Sequence, residues 1–471
     1  MNSNKKNRRR SWFASVAGAL LIGLLLTGCK GVPTKGEREA RRQLSAVAKI
    51  YRPGDHPARP PELTTNSPLG DFLTYAMFNE PQVRAAYFDW AASVENITVA
   101  RSLPDPQLTF QMDIQDIVTS IMPGLMQEFP GPGKLRVRGD VASADSQARY
   151  FIFENTVLQT ADAVKQSYYQ IWFLDEKIRV DRQLLQLLAE AERVARAKNA
   201  AGLATLQDVY DAQIAEDRMR TDIANLEDSR RPLIAQFKAA LGLTPDQPDP
   251  PLPGRFEPTV VNLSPEQLLA TAYARNPQLK VMAAEVQQAE ASLELAYKTR
   301  VPNFHLGLMA DAKMAPVLYR PLAGMSLPIW RDKISAEIAA AQAGKRAAAA
   351  RLTAAQIVVA VAFAEKSFDY RLALRNLALF DDFVIPKARQ SLEIARASYL
   401  ANTVDYSHLV AAEQAPLNYE LSAIEARQQR ELALTDLSLL IAGVPPKGAP
   451  VFPGGATGRS ISNKISKLQT P

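Results

Sequence analysis

The chain has 471 residues, a single cysteine and a formal net charge of +6, from 55 Lys and Arg against 49 Asp and Glu. Five of the cations (Lys5, Lys6, Arg8, Arg9, Arg10) fall in residues 1–28, which carry no acid, so the remainder sets 50 basic against 49 acidic side chains. A near-neutral body removes the support for nucleic-acid binding, and one cysteine excludes a disulfide within a single chain.

The basic start leads into an apolar run over residues 12–26 and then Leu26-Thr27-Gly28-Cys29. Charge, apolar stretch and small residues in that order mark a secretory signal over residues 1–28. The run is short for a spanning helix, which needs about 20 residues. Leu26-Thr27-Gly28-Cys29 resembles the bacterial lipobox, which implies that Cys29 is acylated and becomes the new N-terminus. Lys30 stands where an aspartate would resemble an inner-membrane retention signal. The lipid is therefore expected in the inner leaflet of the outer membrane.

Residues 29–66 are polar and spotted with prolines, and read as a tether with a short helical segment over 37–51. From there the chain says the same thing twice. Ser67-Pro68 is matched by Ser264-Pro265, Asn79-Glu80-Pro81 by Asn276-Pro277, and Pro106 by Pro302. Phe129-Pro130 is matched by Leu327-Pro328, Gly202 by Asn402, and Leu241-Gly242 by Ala442-Gly443, always 196 to 201 residues on. Residues 67–242 and 263–443 are thus two copies of one module, joined by a linker over 243–262 with six prolines. A module used twice suits a chain that builds part of a ring. Residues 444–471, rich in Pro, Gly, Ser and Lys, read as a disordered tail.

Each copy reads as helix, strand pair, very long helix, turn and return helix. Ser264 with Pro265 and Gln267 makes a capping box at the start of copy two, and Ser67-Pro68 starts copy one without the box. Pro81 and Pro277 should break these helices, which then run to about 102 and 300. Residues 135–199 and 333–400 hold no Gly or Pro except Gly139, Gly344 and Pro386, and are rich in helix formers. About 65 residues of helix span roughly 100 Å, a length useful to a coiled-coil wall and not to a compact core. Gly202 and Asn402 suit the left-handed C′ position, and Thr205 and Asp405 can cap the return helices over 206–241 and 406–441.

Between the helices, Leu108-Thr109-Phe110-Gln111-Met112-Asp113-Ile114-Gln115 alternates apolar and polar without an error. Residues 304–311 repeat the pattern, with only Met309 breaking the polar face. Weaker return strands follow: Leu125 and Phe129 flank a polar Gln127, and Ala323, Met325 and Leu327 alternate with Gly324 and Ser326. Strict alternation is what a membrane β-barrel requires. The rival, an amphipathic hairpin on a soluble core, has no compact core to cover. Four strands cannot close a barrel, and lipid does not tolerate open edges, so several chains must share one. Two chains would give a barrel filled by side chains, and three a barrel wide enough for a channel.

These features together resemble the TolC-like outer-membrane efflux family over residues 67–443. The resemblance rests on the duplication, the lipobox, and the turn segments 202–212 and 402–412. It also rests on Gln127-Glu128-Phe129-Pro130-Gly131-Pro132-Gly133-Lys134 and Ser326-Leu327-Pro328-Ile329-Trp330, which resemble most the branch serving heavy-metal efflux pumps. It implies a mainly α fold with membrane β: duplicated long-helix coiled-coil hairpins plus four transmembrane strands per chain. The implied assembly is a homotrimer with a 12-strand β-barrel and a 12-helix periplasmic tunnel. Its helical tips would dock on a periplasmic adaptor (membrane fusion) protein coupled to an inner-membrane efflux pump. The pump would supply the energy, in keeping with the lack of a Gly-rich phosphate loop.

Carried over by position, Gly202, Leu203, Thr205, Asn402, Val404 and Asp405 should form the docking edge. Relatives place two acids in the second copy as a constriction, where this chain has His408 and Ala411. Asp208 and Asp211, with Asp405, are then the alternative source of negative charge, against the plainer reading that they cap and solvate helix ends. A ring of His408 would make closure pH-sensitive.

Six of the ten methionines (112, 122, 126, 309, 314 and 325) lie in the strand regions. Thioethers suit soft ions, but no His or Cys cluster accompanies them, so they read as core or lipid-facing surface. The three histidines (56, 305 and 408) have no ligand spacing. No nucleophile–base arrangement stands out, and no enzyme, cofactor or metal site is expected. A periplasmic coiled-coil spacer lipoprotein without a pore would keep the helices but has no use for the strands. A lipid-anchored enzyme would lack its catalytic groups.

Overall fold

A computed structural model describes residues 33–51, 59–114, 118–254, 256, 265–311, 316–401 and 403–441. The signal segment, the lipidation at Cys29, the Ser264 cap, Asn402 and the tail over 444–471 lie outside the described residues. The described chain divides into two compact units, each combining corresponding segments of both copies.

Helix boundaries follow the prolines. Helix α1 spans Lys35–Tyr51, α2 Leu69–Asn79 and α3 Pro81–Arg101. Proline has no N–H to continue a helix, but its fixed φ suits the first helical position, so one helix stops before Pro81 and the next starts on it. The break recurs in copy two, and its position is shared: α6 covers Pro265–Arg275 and α7 Pro277–Lys298. Helix α4 is a single run of 67 residues, Lys134–Ala200, returned by α5 over Leu206–Ala240.

Copy two departs from the uninterrupted helix expected over 333–400. Helix α8 (Arg331–Ala378) passes through a π turn (Leu379–Val384) into α9 (Ile385–Leu400), and α10 (Tyr406–Ile441) returns. The cause is Pro386. Without its N–H the ladder cannot keep its four-residue step, and the preceding Ile385 N–H reaches the Phe380 carbonyl, five residues back.

The first unit takes in described residues up to Arg41, with 92–146 and 287–346. It holds one antiparallel sheet, β1 (Gln107–Ile114), β2 (Val118–Phe129), β3 (Phe304–Asp311) and β4 (Leu318–Met325), in that spatial order. Prolines 104, 106, 130, 302 and 328 flank these strands. The last strand, expected over 323–327, lies further back, and Leu327 falls outside it. Helix α1 also belongs partly here, and residues 37–51 are more than a helical stretch in a loose tether. Glu37, 1% exposed, is anchored by Arg101, by the Thr98 hydroxyl at 2.8 Å and by Arg41 at 3.2 Å. Burial pushes the Glu37 carboxyl up, but Arg101, Thr98 and Arg41 together outweigh it and hold the group below the usual range.

The second unit takes in 42–91 and 147–286, and the described residues from Ala347 on. Its core joins Phe72, Leu73 and Ala76 of α2 to Tyr168, Ile171 and Phe173 of α4, with Phe237 of α5 and Ile424 of α10. Phe72 and Phe237 meet at 5.5 Å between ring centres. Trp172 stacks on Phe256 at 4.6 Å, which fastens the proline-rich linker to the same core. Helix α5 ends in a left-handed Gly242 (φ +71°), whose Cα lies against the break between α2 and α3. A first helix and a return helix therefore meet end to end beside α4.

Candidate functional site

The sheet has two unlike faces. Cross-strand partners share a face, so the register assigns each side chain. Leu108 pairs with Leu125, Leu125 with Leu308, and Leu308 with Pro321. Phe110, Met112, Ile121, Phe129, Phe304, Leu306 and Met325 belong to the same side. This face is apolar and bare: Leu108 is 67% and Phe110 70% exposed. The polar Gln127 also falls on this face, but it turns its amide onto the Pro104 and Glu128 carbonyls at 2.7 and 2.9 Å. Among the described residues no further strand pairs with the outer edges of β1 and β4.

The opposite face carries Gln107, Thr109, Gln111, Asp113, Ser120, Glu128, His305, Asp311 and Arg320. Ser120 hydrogen-bonds Asp311 at 3.2 Å and Arg320 approaches Asp311 at 3.7 Å. Met122, Met126 and Met309 also lie on this face. Met122 and Met309 are buried there, as core methionines, while Met126 is half-buried. Only Met112 and Met325 join the exposed apolar face, and Met314 lies outside the described residues.

Asn303 fastens the end of the sheet. Its Oδ1 accepts from the Gly131 N–H at 3.1 Å and from Lys134 Nζ at 2.7 Å, and its Nδ2 donates to Glu128 at 2.9 Å. Its backbone exchanges two further bonds with Ser326, at 2.8 and 2.9 Å. Both strand–helix turns are so tied to the start of β3, and the sequence offered only a lone Asn after Pro302 as a sign of it.

The two helical turns carry the other predicted residues. Gly202 is left-handed (φ +72°), with its N–H on the Asn199 carbonyl and the Leu203 N–H on the Lys198 carbonyl, a Schellman close. The counterpart of Leu203 in copy two is Thr403, whose N–H meets the Ser398 carbonyl at 2.9 Å. Thr205 caps α5 in a full capping box, in which Asp208 is the reciprocal partner. Those bonds from the Thr205 hydroxyl and N–H hold the Asp208 carboxyl below its usual range. Asp211 is an exposed residue one helical turn further on. In copy two the Asp405 carbonyl accepts the His408 and Leu409 N–H groups, so Asp405 stands at the N-cap position. His408 is exposed, Val404 half-buried. Lys198 lies over the Tyr406 ring at 5.6 Å and brings the two turns together. Leu203 (77%) and Leu400 (85%) are among the most exposed apolar side chains.

A polar cluster lies among α4, α8 and α10. Gln166 donates to Asp162 at 3.0 Å and to Asp436 at 3.2 Å, while Lys366 pairs with Asp436 at 2.8 Å. Burial, and next the Asp436 charge, push Asp162 up to about 6. Among the described residues no group of three or more His, Cys, Asp or Glu could hold a metal ion.

The family model described as outer membrane efflux protein matches residues 74–243 and 268–443, one match to each copy. No curated protein matches the chain. Among solved structures, a membrane protein from Pseudomonas aeruginosa is similar with a TM-score of 0.69 and 18% identity, over 82% of this chain and 92% of that one. The Campylobacter jejuni CmeC outer membrane channel matches with a TM-score of 0.67 and 13% identity, over 88% and 93%. The Vibrio cholerae outer membrane protein VceC matches with a TM-score of 0.66 and 14% identity, over 80% and 96%.

Proposed function

Since the chain belongs to the outer membrane efflux protein family, we propose that it is the outer-membrane channel of a tripartite efflux system, passively conducting what an inner-membrane pump delivers through a periplasmic adaptor. The observation that carries this reading is the two-faced sheet whose outer strands have no further partner among the described residues. An apolar face bared at Leu108 and Phe110 suits lipid, and a face of Thr109, Gln111, Asp113 and Arg320 suits water.

Open edges in lipid require partners. Three chains close twelve strands around a lumen, and the homotrimer is the assembly we infer. Helix α8 supports it. Its Ile357, Val358 and Val361 are more than half exposed, an apolar surface suited to a neighbouring copy in a helical tunnel. The exposed Leu203 and Leu400 suit docking of the turns on an adaptor, with Gly202, Thr205, Val404 and Asp405 shaping the edge. Lipidation at Cys29 would tether each chain to the membrane the sheet spans. The turns over 127–134 and 326–330 favour the heavy-metal branch as the narrower reading.

The pore-free spacer lipoprotein predicts no current. Purified protein added to a planar lipid bilayer should give discrete single-channel steps. A preparation that inserts and conducts nothing would remove the channel reading.

A further inference from the structure

Within the second unit the four helices that reach the turns stand in a definite order. Helix α4 meets α5 through Arg182 and Glu227 at 2.6 Å and through Glu192 and Gln213 at 3.0 Å. It also meets α10, where Lys177 pairs with Glu425 at 3.3 Å and Arg179 with Glu420 at 3.0 Å. Helix α10 in turn meets α9 through Glu413 and Arg396 at 3.4 Å. Among the described residues no hydrogen bond or ion pair joins α5 to α9. The order is α5, α4, α10, α9, which leaves α5 and α9 as the two flanks. Each flank carries an exposed stripe. On α5, Leu206, Tyr210, Ile214 and Asp217 recur at steps of four, four and three residues and share one face, with Ile214 49% exposed. On α9, Lys387, Gln390 and Ile394 share a face in the same way, with Ile394 67% exposed. Lys198, over the Tyr406 ring, holds the two turns at one level. At 1.5 Å per residue, Ile214 and Ile394 stand roughly 13 and 10 Å from their turns, and Asp217 and Lys387 roughly 18 and 21 Å. An isoleucine and then a charge, of opposite sign on the two helices, come at matching heights.

We propose that α5 of one copy seats along α9 of the next, with Ile214 on the partner subunit's Ile394 and Asp217 facing the partner subunit's Lys387. The proposal rests on the reading of the chain as one part of a shared tunnel, and it names the seam between copies and its register. A second copy is the occupant because the two stripes match each other in height and in chemistry, and both belong to this chain. The isoleucines supply apolar area that a single chain leaves in water. The carboxylate and the ammonium fix the register more than the strength of the contact, since a pair at a wet rim is screened. Arg220, the next cation but one along α5, is taken by Glu216 and leaves Asp217 to the neighbouring helix. The seam joins unlike surfaces, so each copy offers one flank and receives the other. Such a head-to-tail contact satisfies every flank only when the copies close into a ring.

The test is disulfide cross-linking of the full chain in outer-membrane vesicles. Mild oxidation of I214C/I394C should give bands at multiples of the chain mass that collapse on reduction. I214C alone, I394C alone and the wild-type chain, whose one cysteine is Cys29, should give none. I214C/V358C should also give none, because Val358 stands roughly 54 Å further along the helix from Ile394. The charges give a second readout by native mass spectrometry in mild detergent. D217K should lower the fraction of assembled chains about twofold or more, and D217K/K387D should restore it. All four positions are exposed, which favours folding of these variants. A disulfide of I214C/I394C at the mass of one chain, cross-linking to a chain of another mass, equal product from I214C alone, or no rescue by the charge exchange would each overturn the seam. Conductance of the same vesicles keeps the two readings apart. Wild-type current steps without the cross-link defeat the seam alone, whereas a wild-type chain that conducts nothing defeats the channel.

Discussion

Asn79 and Asn276, 197 residues apart, close the same joint in the two copies. Asn79 Nδ2 donates to the Leu241 and Gly242 carbonyls at 3.0 Å each, at the end of α5. Asn276 Nδ2 donates to the Leu440 carbonyl at 3.0 Å, in the last turn of α10. The last carbonyls of a helix have no partner of their own, and each Asn supplies one from the break where a first helix restarts on proline. Replacing either by Ala leaves those carbonyls short of a donor, at about 1–3 kcal/mol. Asn276→Ala should cost more, because its Oδ1 also accepts the Leu279 N–H at 3.1 Å and the residue is 5% exposed. Thermal unfolding followed by circular dichroism measures both.

Gly202 and Gly242 share a left-handed backbone, at φ +72° and +71°, but not the same surroundings. Nothing lies within 4 Å of a Cβ built on Gly202, whereas one on Gly242 would meet the Glu80 Cα at 2.7 Å and the Asn79 carbonyl carbon at 2.8 Å. Gly202→Ala should therefore cost only the conformational penalty of about 1–2 kcal/mol and leave a folded protein. Gly242→Ala should lose substantially more and lower the yield of folded protein. Equal unfolding midpoints for the two variants would contradict this.

Asn303→Ala removes the acceptor of Gly131 and Lys134 and the donor to Glu128 at one stroke. The lysine is then left without its shortest partner. The variant should show a lower thermal midpoint, with faster hydrogen exchange at Gly131, while the tips keep their protection. Exchange mass spectrometry on peptides over 127–136 and 198–210 separates the two regions.

The polar cluster predicts a pH dependence. Asp162 titrates near 3.8 when unfolded and near 6 when folded, raised by burial and then by Asp436, against the opposing charges of Lys165 and Lys366. Between those values the folded chain holds a proton that the unfolded chain has lost. Stability from this group is therefore full below about pH 4 and declines as pH rises through 6. Asp162→Asn keeps an acceptor for Gln166 without the charge. It should raise the thermal midpoint more at pH 7.5 than at pH 4.5, where the folded wild-type group is largely protonated. A lower midpoint at pH 7.5 would mean that the lysine pairs outweigh burial.

Much of this architecture can be read from punctuation. Pro81 and Pro277 break their helices where the sequence says, because a missing N–H acts locally whatever surrounds it. The alternation in β1 and β3 is legible for the same reason, since side chains on a strand switch faces at every residue. Less local features are hidden. Pro386 marks an irregularity, but the π turn that absorbs it depends on how the Ile385 N–H finds the Phe380 carbonyl. Strand β2 also takes in Met122-Pro123-Gly124, ahead of the Leu125 to Phe129 stretch expected as the return strand. It continues because Pro123 lies just outside the stretch paired with β3. Nothing in the sequence marks Glu37 as buried, and its partner Arg101 stands 64 residues on. Composition leaves each strand methionine as either core or lipid-facing, whereas register divides them between two faces, and register is not visible in composition.

The most direct test of the channel reading compares Thr109→Cys with Phe110→Cys, neighbours on opposite faces of β1. Outer-membrane vesicles carrying each variant would be treated with a membrane-impermeant maleimide. If β1 lies in a barrel wall, position 109 should label from water and position 110 should be protected by lipid. Equal labelling at both positions would contradict it.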